Sequence, residues 1–149
     1  MKYGIDINSE KILNFISERL KERGHFIIDL TERNNINNGK SLLKKVLIAN
    51  VTNIDLYFAI DFKKEISLCE IFFDEDNYSK ILGEELTNLI GSRFENIICK
   101  NGSHLYLIKN INSSVVYVSS PMEYKETMEN LLVTNKLIDI LEMKKIWLA

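Results

Sequence analysis

The sequence predicts an α/β fold with one twisted, mostly parallel sheet of about six strands and helices on both faces. Apolar runs of strand length alternate with amphipathic stretches of helix length along the chain. Residues 54–62 are almost continuously apolar, which is typical of a central strand covered on both faces. The chain has 149 residues, 46% hydrophobic and 27% charged, with one proline, which excludes a disordered or low-complexity protein. We therefore expect residues 1–149 to form a single domain, with 143–149 as a C-terminal tail.

The first strand and helix are indicated by a change of apolar period. Residues 3–7 alternate as in a strand, and residues 10–23 have the spacing of one helical face. Asn8 or Ser9 can cap this helix at its N-terminus. Gly24 suits the left-handed position after its last turn. A strand followed directly by a helix is the beginning of a parallel α/β unit.

The next segments continue the alternation. Residues 25–30 are predicted as a strand, and residues 31–39 as a polar, asparagine-rich loop. A helix is expected over 41–50, with its apolar side chains on one face. Residues 54–62 and 66–73 are then predicted as two strands. This order places the strongest strand near the middle of the chain and of the sheet.

The last third of the chain follows the same pattern with shorter runs. A helix is predicted over 77–90, and a short strand over 94–99. Residues 105–108 and 115–118 are short β-rich runs. A final helix is predicted over 123–142. In the tail beyond it, we expect the single tryptophan to pack on the body of the domain.

Charge and residue usage restrict the possible partners. The net charge is −2, with 19 basic and 21 acidic residues spread along the chain, so neither a nucleic acid nor an anionic membrane is indicated as a partner. No run reaches the roughly 18 apolar residues of a membrane span. The first eight residues do not resemble a signal peptide, so we expect a cytoplasmic protein, with later release by another route left open. Cys69 and Cys99 lie in apolar runs and are expected to be buried free thiols.

Four segments resemble one enzyme family in their order and spacing. They are residues 23–33 (RGHFIIDLTER), 41–50 (SLLKKVLIAN), 55–61 (DLYFAID), and 105–110 with 115–119 (LYLIKN and VVYVS). Together they resemble the zinc-dependent N-acetylmuramoyl-L-alanine amidases of type 3, which include the catalytic domains of clostridial phage endolysins. The resemblance extends to about residue 141 and implies the same α/β fold.

The resemblance also implies a site, which we can compare position by position. The family holds zinc with two histidines and a glutamate, and a further glutamate acts as general base and acid. The first histidine corresponds here to Asn8 or Ser9, the second histidine to Asp61, the glutamate ligand to Glu70 and the catalytic glutamate to Ser119. Only Glu70 keeps the family's residue. The sequence therefore predicts a degenerate member with a vestigial metal site, without zinc or another cofactor and without a catalytic residue.

The remaining candidate residues do not replace this site. His25 and His104 are the only histidines, and we expect both at the surface or at a strand edge rather than as ligands. Glu123, Glu126 and Glu129 have helical spacing and are expected on a solvated helix face. The serines near residue 119 lack the elbow motif of a serine hydrolase.

Two interpretations of the vestigial site stay open. Asp61 and Glu70 could together hold a hard cation such as Mg²⁺, Ca²⁺ or Mn²⁺. Alternatively, they are polar residues beside an old cleft, with Lys63 or Lys64 as ion-pair partners.

The predicted function follows the degenerate site. We expect a non-enzymatic binding or regulatory module linked to the bacterial cell wall or to an active amidase. Its partner would be a peptidoglycan fragment, an active amidase, another protein, or a second copy in a homodimer. The alternative is an active peptidoglycan amidase with a rearranged metal site. A third possibility is the folded remnant of a phage lysin gene.

Overall fold

A computed structural model describes residues 1–33 and 38–143 of the protein. The first half of the chain contains β1 (Lys2–Ile7), α1 (Glu10–Glu22), β2 (Phe26–Asp29), α2 (Asn38–Thr52), β3 (Leu56–Lys63) and β4 (Cys69–Phe73). The second half contains α3 (Asn77–Gly91), β5 (Ile97–Asn101), α4 (Tyr106–Asn110), β6 (Ser114–Pro121), a 3₁₀ turn (Met122–Tyr124), α5 (Lys125–Leu132) and α6 (Asn135–Leu141). The predicted tryptophan packing lies outside the described residues.

The six strands form one sheet in the order β2-β1-β3-β6-β4-β5. β1 pairs in parallel with β2 and β3, β3 pairs in parallel with β6, and β4 pairs in parallel with β5. Only the contact between β4 and β6 is antiparallel in this sheet. The predicted fold class, a mostly parallel six-stranded sheet, is therefore confirmed.

Helices cover both faces of the sheet, and successive side chains of β3 point to the two helical layers in turn. Phe58 and Ile60 point to a core formed with α1, α3, α5 and α6. Tyr57 and Ala59 point to the other face, where α2 and α4 form a thinner layer. Because side chains alternate along a strand, Asp61 also belongs to the face of α2 and α4. None of the described helices combines the length and apolarity that crossing a membrane requires.

The prediction of a β-rich run over 105–108 is wrong, because these residues enter helix α4. Leu107, Ile108 and Ile111 are all buried against the second core. A strand would place Ile108 on the face opposite to Leu107 and Ile111, whereas a helix brings residues three and four apart to the same side. A run of four residues was too short to distinguish the two periods.

The predicted continuous helix over 123–142 is interrupted. A 3₁₀ turn leads into α5, which ends at Leu132, and α6 begins at Asn135. Val133 and Thr134 lie between them, and Thr134 has extended backbone angles (φ −144°, ψ 155°). Both residues are β-branched, so they lose side-chain freedom in a helix. The break lets α5 and α6 pack separately on the sheet.

Two strands begin three residues later than predicted. β5 begins at Ile97 rather than at residue 94, because Phe94 stacks on Tyr124 with ring centroids 4.1 Å apart. β4 begins at Cys69 rather than at residue 66. Both cysteines are free thiols as expected; Cys69 is buried, and Cys99 is only half-buried.

Candidate functional site

A cavity of about 520 Å³ opens on the face of α2 and α4, near the carboxyl ends of β1, β3 and β6. The sheet forms its floor, while Leu42 and Lys45 of α2 and Leu107 of α4 contribute to its walls. In α/β sheets, ligands bind outside the carboxyl ends of the parallel strands. The cavity is therefore where this fold would hold a ligand.

Three predicted site residues lie in one row across the floor of the cavity. Asp61 of β3 is the register partner of Ser119 of β6, and Ser119 is the register partner of Glu70 of β4. Because neighbouring strands lie about 4.8 Å apart, Ser119 stands between the two carboxylates. Its residue is 5% exposed, and no hydrogen bond joins its hydroxyl to another group in the described part of the chain.

Asn8 lies beside this row, directly after β1. Its Oδ1 accepts a hydrogen bond from the Phe62 backbone N–H at 2.8 Å, and its Nδ2 donates to the Phe62 carbonyl oxygen at 3.0 Å. Nδ2 also lies 3.3 Å from Oδ1 of Asp61. These bonds fix the Asn8 amide against β3, so the structure brings Asn8, Asp61, Glu70 and Ser119 to one cavity.

Ser9 does not lie in the cavity, although the resemblance offered it as a ligand position. It is buried at the N-cap of α1, where its hydroxyl accepts from the Ile12 backbone N–H at 3.3 Å and donates to Glu129 at 2.6 Å. Its side chain therefore serves the helix, as its capping position in the sequence indicated. Of the three glutamates expected on a solvated helix face, Glu129 is the one drawn inward by this bond.

The two carboxylates of the row each have a lysine. Asp61 accepts a hydrogen bond from the Tyr117 hydroxyl at 3.1 Å and lies 3.8 Å from the ammonium of Lys63. Glu70 lies 2.5 Å from the ammonium of Lys100. Each pair is partly exposed. Of the two lysines predicted beside Asp61, Lys63 is the one that lies next to it.

A third pair, between Asp6 and Lys45, lies deeper in the same cavity. The Asp6 carboxylate is 2.9 Å from the Lys45 ammonium and accepts a hydrogen bond from Tyr57 at 2.6 Å. Burial raises the pKa of Asp6, while Lys45 and Tyr57 act in the opposite direction. Sequence reasoning missed this pair. The available signals were an aspartate inside an apolar strand and a lysine in the helix α2.

The hydroxyls of Tyr57 and Tyr117 remain protonated. Burial raises the pKa of Tyr117 well above its usual range, and the neighbouring Asp61 carboxylate adds to the rise. The pKa of Tyr57 is raised by burial and then by Asp6 in the same way. Both hydroxyls therefore act as hydrogen-bond donors to carboxylates rather than as bases.

Neither histidine reaches the cavity. His104 is exposed, with its ring centroid 6.4 Å from that of Phe72. The expectation that His25 lies at the surface is wrong, because the residue is only 7% exposed, although it directly precedes the edge strand β2. Its Nε2 lies 2.7 Å from a carboxylate oxygen of Glu142 on the opposite face of the sheet. A carboxylate only accepts, so this nitrogen carries the proton and His25 has a structural contact there.

The residues around the row do not fit the zinc ion that the resemblance implies. The potential donors are one amide, one hydroxyl and two carboxylates, whereas zinc sites in proteins use histidine nitrogen or cysteine sulfur with few carboxylates. Both carboxylates are already paired with lysine ammonium groups. Across residues 1–33 and 38–143, no three histidine, cysteine, aspartate or glutamate side chains gather as a metal site.

Comparison with solved structures shows what this arrangement of strands and helices resembles. The catalytic domain of the CD27L endolysin, which targets Clostridia difficile, superposes with a TM-score of 0.75 at 12% sequence identity, covering 95% of this chain and 97% of that one. The catalytic domain of CwlV, an N-acetylmuramoyl-L-alanine amidase from Bacillus (Paenibacillus) polymyxa var. colistinus, gives 0.69 at 11% identity, with 97% and 98% covered. The chain has the fold of an N-acetylmuramoyl-L-alanine amidase catalytic domain.

The amidase fold is thus present over nearly the full length of both chains, as the sequence resemblance predicted. The CwlD amidase from Clostridioides difficile, solved in complex with the GerS lipoprotein, has the same fold with a TM-score of 0.60 at 15% identity, covering 95% of this chain and 98% of that one. No protein-family model matches the sequence, and no curated protein matches it significantly. The likeness therefore concerns the fold, and the chemistry has to be argued from the cavity.

Proposed function

We propose that this amidase fold is a non-catalytic module that binds a peptidoglycan fragment in its cavity. The observation that supports this most directly is that both carboxylates of the row are paired with lysines: Asp61 with Lys63 and Glu70 with Lys100. These ammonium groups supply the positive charge that a metal ion would bring. A cation that bound both carboxylates would displace both ammonium groups, although these partly exposed pairs are individually weak.

The residue between the two carboxylates, Ser119, also supports a non-catalytic role. Hydrolysis of an amide needs a water molecule activated by a base or a metal. Ser119 occupies the position that corresponds to the catalytic glutamate of the resembling family, and a serine hydroxyl has no basic oxygen at neutral pH. Asp61 already accepts bonds from Asn8 and Tyr117.

The volume and the lining of the cavity are compatible with the binding of a ligand. A cavity of about 520 Å³ is within the range of small-molecule sites. The Ser119 hydroxyl is nearly buried at its floor and has no partner in the described structure, so it can donate to and accept from a bound amide. Lysines and carboxylates both line the cavity, which is compatible with a short peptide bearing both charges.

Calorimetric titration with an N-acetylmuramoyl dipeptide tests this proposal. We expect saturable binding that Ser119→Ala weakens about tenfold, since one buried hydrogen bond is lost. Ser9→Ala is the matched control, because Ser9 lies outside the cavity, and it should leave the affinity unchanged. Absence of saturable binding to the dipeptide and to longer muropeptides would overturn the peptidoglycan ligand and favour a protein partner such as an active amidase.

One observation favours the alternative of an active metal-dependent amidase. Asp61 and Glu70 lie on the same face on either side of Ser119, and carboxylate oxygens are ligands of hard cations. This alternative requires Lys63 and Lys100 to turn away. Release of soluble muropeptides from cell walls in the presence of Zn²⁺, Mn²⁺, Mg²⁺ or Ca²⁺, abolished by a chelator, would establish it and contradict our proposal.

A further inference from the structure

One end of the cavity holds an ion pair that is nearly buried but still borders the open space. The Asp6 carboxylate and the Lys45 ammonium lie 2.9 Å apart, and their side chains are 14% and 16% exposed. Both residues belong to the lining of the cavity. The pair is therefore largely withdrawn from bulk water and is open to a molecule that enters the cavity.

Both members of the pair keep hydrogen-bonding capacity. The Lys45 ammonium and the Tyr57 hydroxyl contact the same oxygen of Asp6, Oδ2, at 2.9 and 2.6 Å. In the described part of the chain, no hydrogen bond reaches Oδ1 of Asp6, and Lys45 has no second partner. An ammonium has three hydrogens and each carboxylate oxygen has its own lone pairs. The pair can therefore still accept a hydrogen bond from a ligand and donate one to it.

A small residue of the central strand provides the space beside the pair. Ala59 is the register partner of Asp6 on one side and of Tyr117 on the other. Its side chain is a single methyl group, so the floor of the cavity is not filled between the two larger side chains. Leu42 and Ile108 contribute apolar surface to the same cavity. A small charged group fits above Ala59, next to the ion pair.

The charges of Asp6 and Lys45 determine which charged group the pair accepts. A ligand with a single charge would be attracted by one member and repelled by the other at nearly the same distance. A ligand with an ammonium and a carboxylate on one carbon can place each charge against the opposite member of the pair. These attractions are stronger in a site with little water. The complementary ligand is therefore a zwitterion.

We propose that the Asp6–Lys45 pair binds the zwitterionic end of an α-amino acid, with the ligand ammonium on Asp6 and the ligand carboxylate on Lys45. This inference rests on the proposed function, because it assigns one end of the bound peptide. Ser119 lies two strands and two residues away from Asp6, about 12 Å across the floor. An extended peptide of three or four residues covers about this distance. One ligand can therefore reach Ser119 with an amide and the ion pair with its zwitterionic end.

Calorimetric titration with three peptides that differ only at this end tests the zwitterion site. In the first peptide, N-acetyl-alanyl-alanine is joined to the side-chain nitrogen of lysine, so the lysine keeps its α-ammonium and α-carboxylate. The α-amine is acetylated in the second peptide, and the α-carboxylate is converted to an amide in the third. We expect the first peptide to bind about tenfold more tightly than either of the others, because each of these loses one charge-assisted hydrogen bond. Equal affinities, or tightest binding of a singly charged peptide, would overturn the proposal.

Asp6→Asn tests which residue binds which charge. We expect this variant to lose the preference over the acetylated peptide and to keep the preference over the amide, because Lys45 is still present. Asp139→Asn is the matched control and should keep both preferences, since the Asp139 side chain is 68% exposed and lies outside the cavity. Circular dichroism checks that both variants fold. A folded Asp6→Asn variant that keeps both preferences would overturn the assignment, and the three titrations of the unaltered protein decide alone if it does not fold.

The N-acetylmuramoyl dipeptide separates this inference from the proposed function. Binding of that dipeptide, together with equal affinities for the three peptides, would overturn the zwitterion site and leave the proposed function in place. A preference for the zwitterionic peptide without binding of the dipeptide or of longer muropeptides would overturn the peptidoglycan ligand and leave an amino-acid site at Asp6 and Lys45.

Discussion

Asp6 depends on its neighbours more than any other acidic residue of the cavity. Burial raises the pKa of its carboxyl above the ordinary 3.8, with Lys45 and Tyr57 opposing that rise. A raised pKa means that the folded state favours the protonated form. The contribution of this group to stability is therefore fully present below pH 3.8 and is lost as the pH rises through the folded-state pKa.

Replacing Lys45 should make the stability of the protein depend more steeply on pH. We expect Lys45→Met to lower the free energy of unfolding by about 3 kcal/mol at pH 7, because a buried carboxylate loses its ion pair. At about pH 4 the loss should be clearly smaller, since Asp6 becomes protonated. Urea unfolding at the two pH values measures this. Lys63→Met, in an exposed pair, should cost at most about 1 kcal/mol; equal losses in the two variants would contradict the burial argument.

At the residue scale, the sequence predicted the place of the site better than its chemistry. Asn8, Asp61, Glu70 and Ser119 were predicted from the resemblance to the amidase family, and the structure brings them to one cavity. The lysine partners depend on which strands are neighbours. Lys100 reaches Glu70 because β5 pairs with β4, and no local pattern in the sequence encodes that pairing.

At the scale of elements, Ser9 supports the start of α1 rather than the cavity. We expect Ser9→Ala to lower the free energy of unfolding by about 1 kcal/mol, because the helix loses its N-cap. Thermal unfolding measures this change. Asp76→Ala removes the matched cap of α3 and should cost a similar amount. A variant of Ser9 that kept its stability but lost ligand binding would place this residue in the site after all.

Helix α6 is held to the first strands by polar contacts. Tyr3 donates a hydrogen bond to the Leu141 carbonyl oxygen at 2.8 Å, and Glu142 contacts both His25 and Arg23. Burial alone would raise the pKa of Glu142, but the hydrogen bonds from His25 and Arg23 outweigh it, so this pKa is lowered. Its contribution to stability is therefore present above pH 4.5 and is lost as the pH falls through the lowered pKa.

Glu142→Gln tests this contact between the ends of the fold. The variant should be less stable than the parent at about pH 7, and the difference should shrink as the pH falls through the lowered pKa of the parent glutamate. Chemical unfolding at both pH values measures it. Asp139→Asn is the control, because the Asp139 side chain is 68% exposed and should show little effect. A difference that persisted at low pH would contradict the ionic origin.

Long periodic elements were predictable, and short ones were not. α1 and α3 were located within two residues because each has an apolar face several turns long and a capping side chain. α4 has one turn, so its two adjacent buried residues resembled a strand. The break at Val133 and Thr134 was missed because the weak preference of two β-branched residues against a helix does not interrupt the apolar pattern of residues 123–142.

At the scale of the whole molecule, the strands bring positions 8, 61, 70 and 119 together whether or not the residues there are metal ligands. This can be tested by adding nitrogen ligands. We expect the double variant Asn8→His/Asp61→His to gain about one zinc per chain together with Glu70, since two imidazoles and a carboxylate form a zinc site. Ser9→His/Asp61→His is the matched control and should gain none, because Ser9 lies outside the cavity. Equal zinc uptake by the two variants would mean that the strands do not position the ligands as described.

The zinc content of the unaltered protein, measured by mass spectrometry after equilibration with zinc and dialysis, tests the non-catalytic assignment most directly. Because the row offers one amide, one hydroxyl and two carboxylates but no imidazole or thiolate, we expect far less than one zinc per chain and no muropeptide release from cell walls. One retained zinc per chain, with muropeptide release that a chelator abolishes, would contradict it.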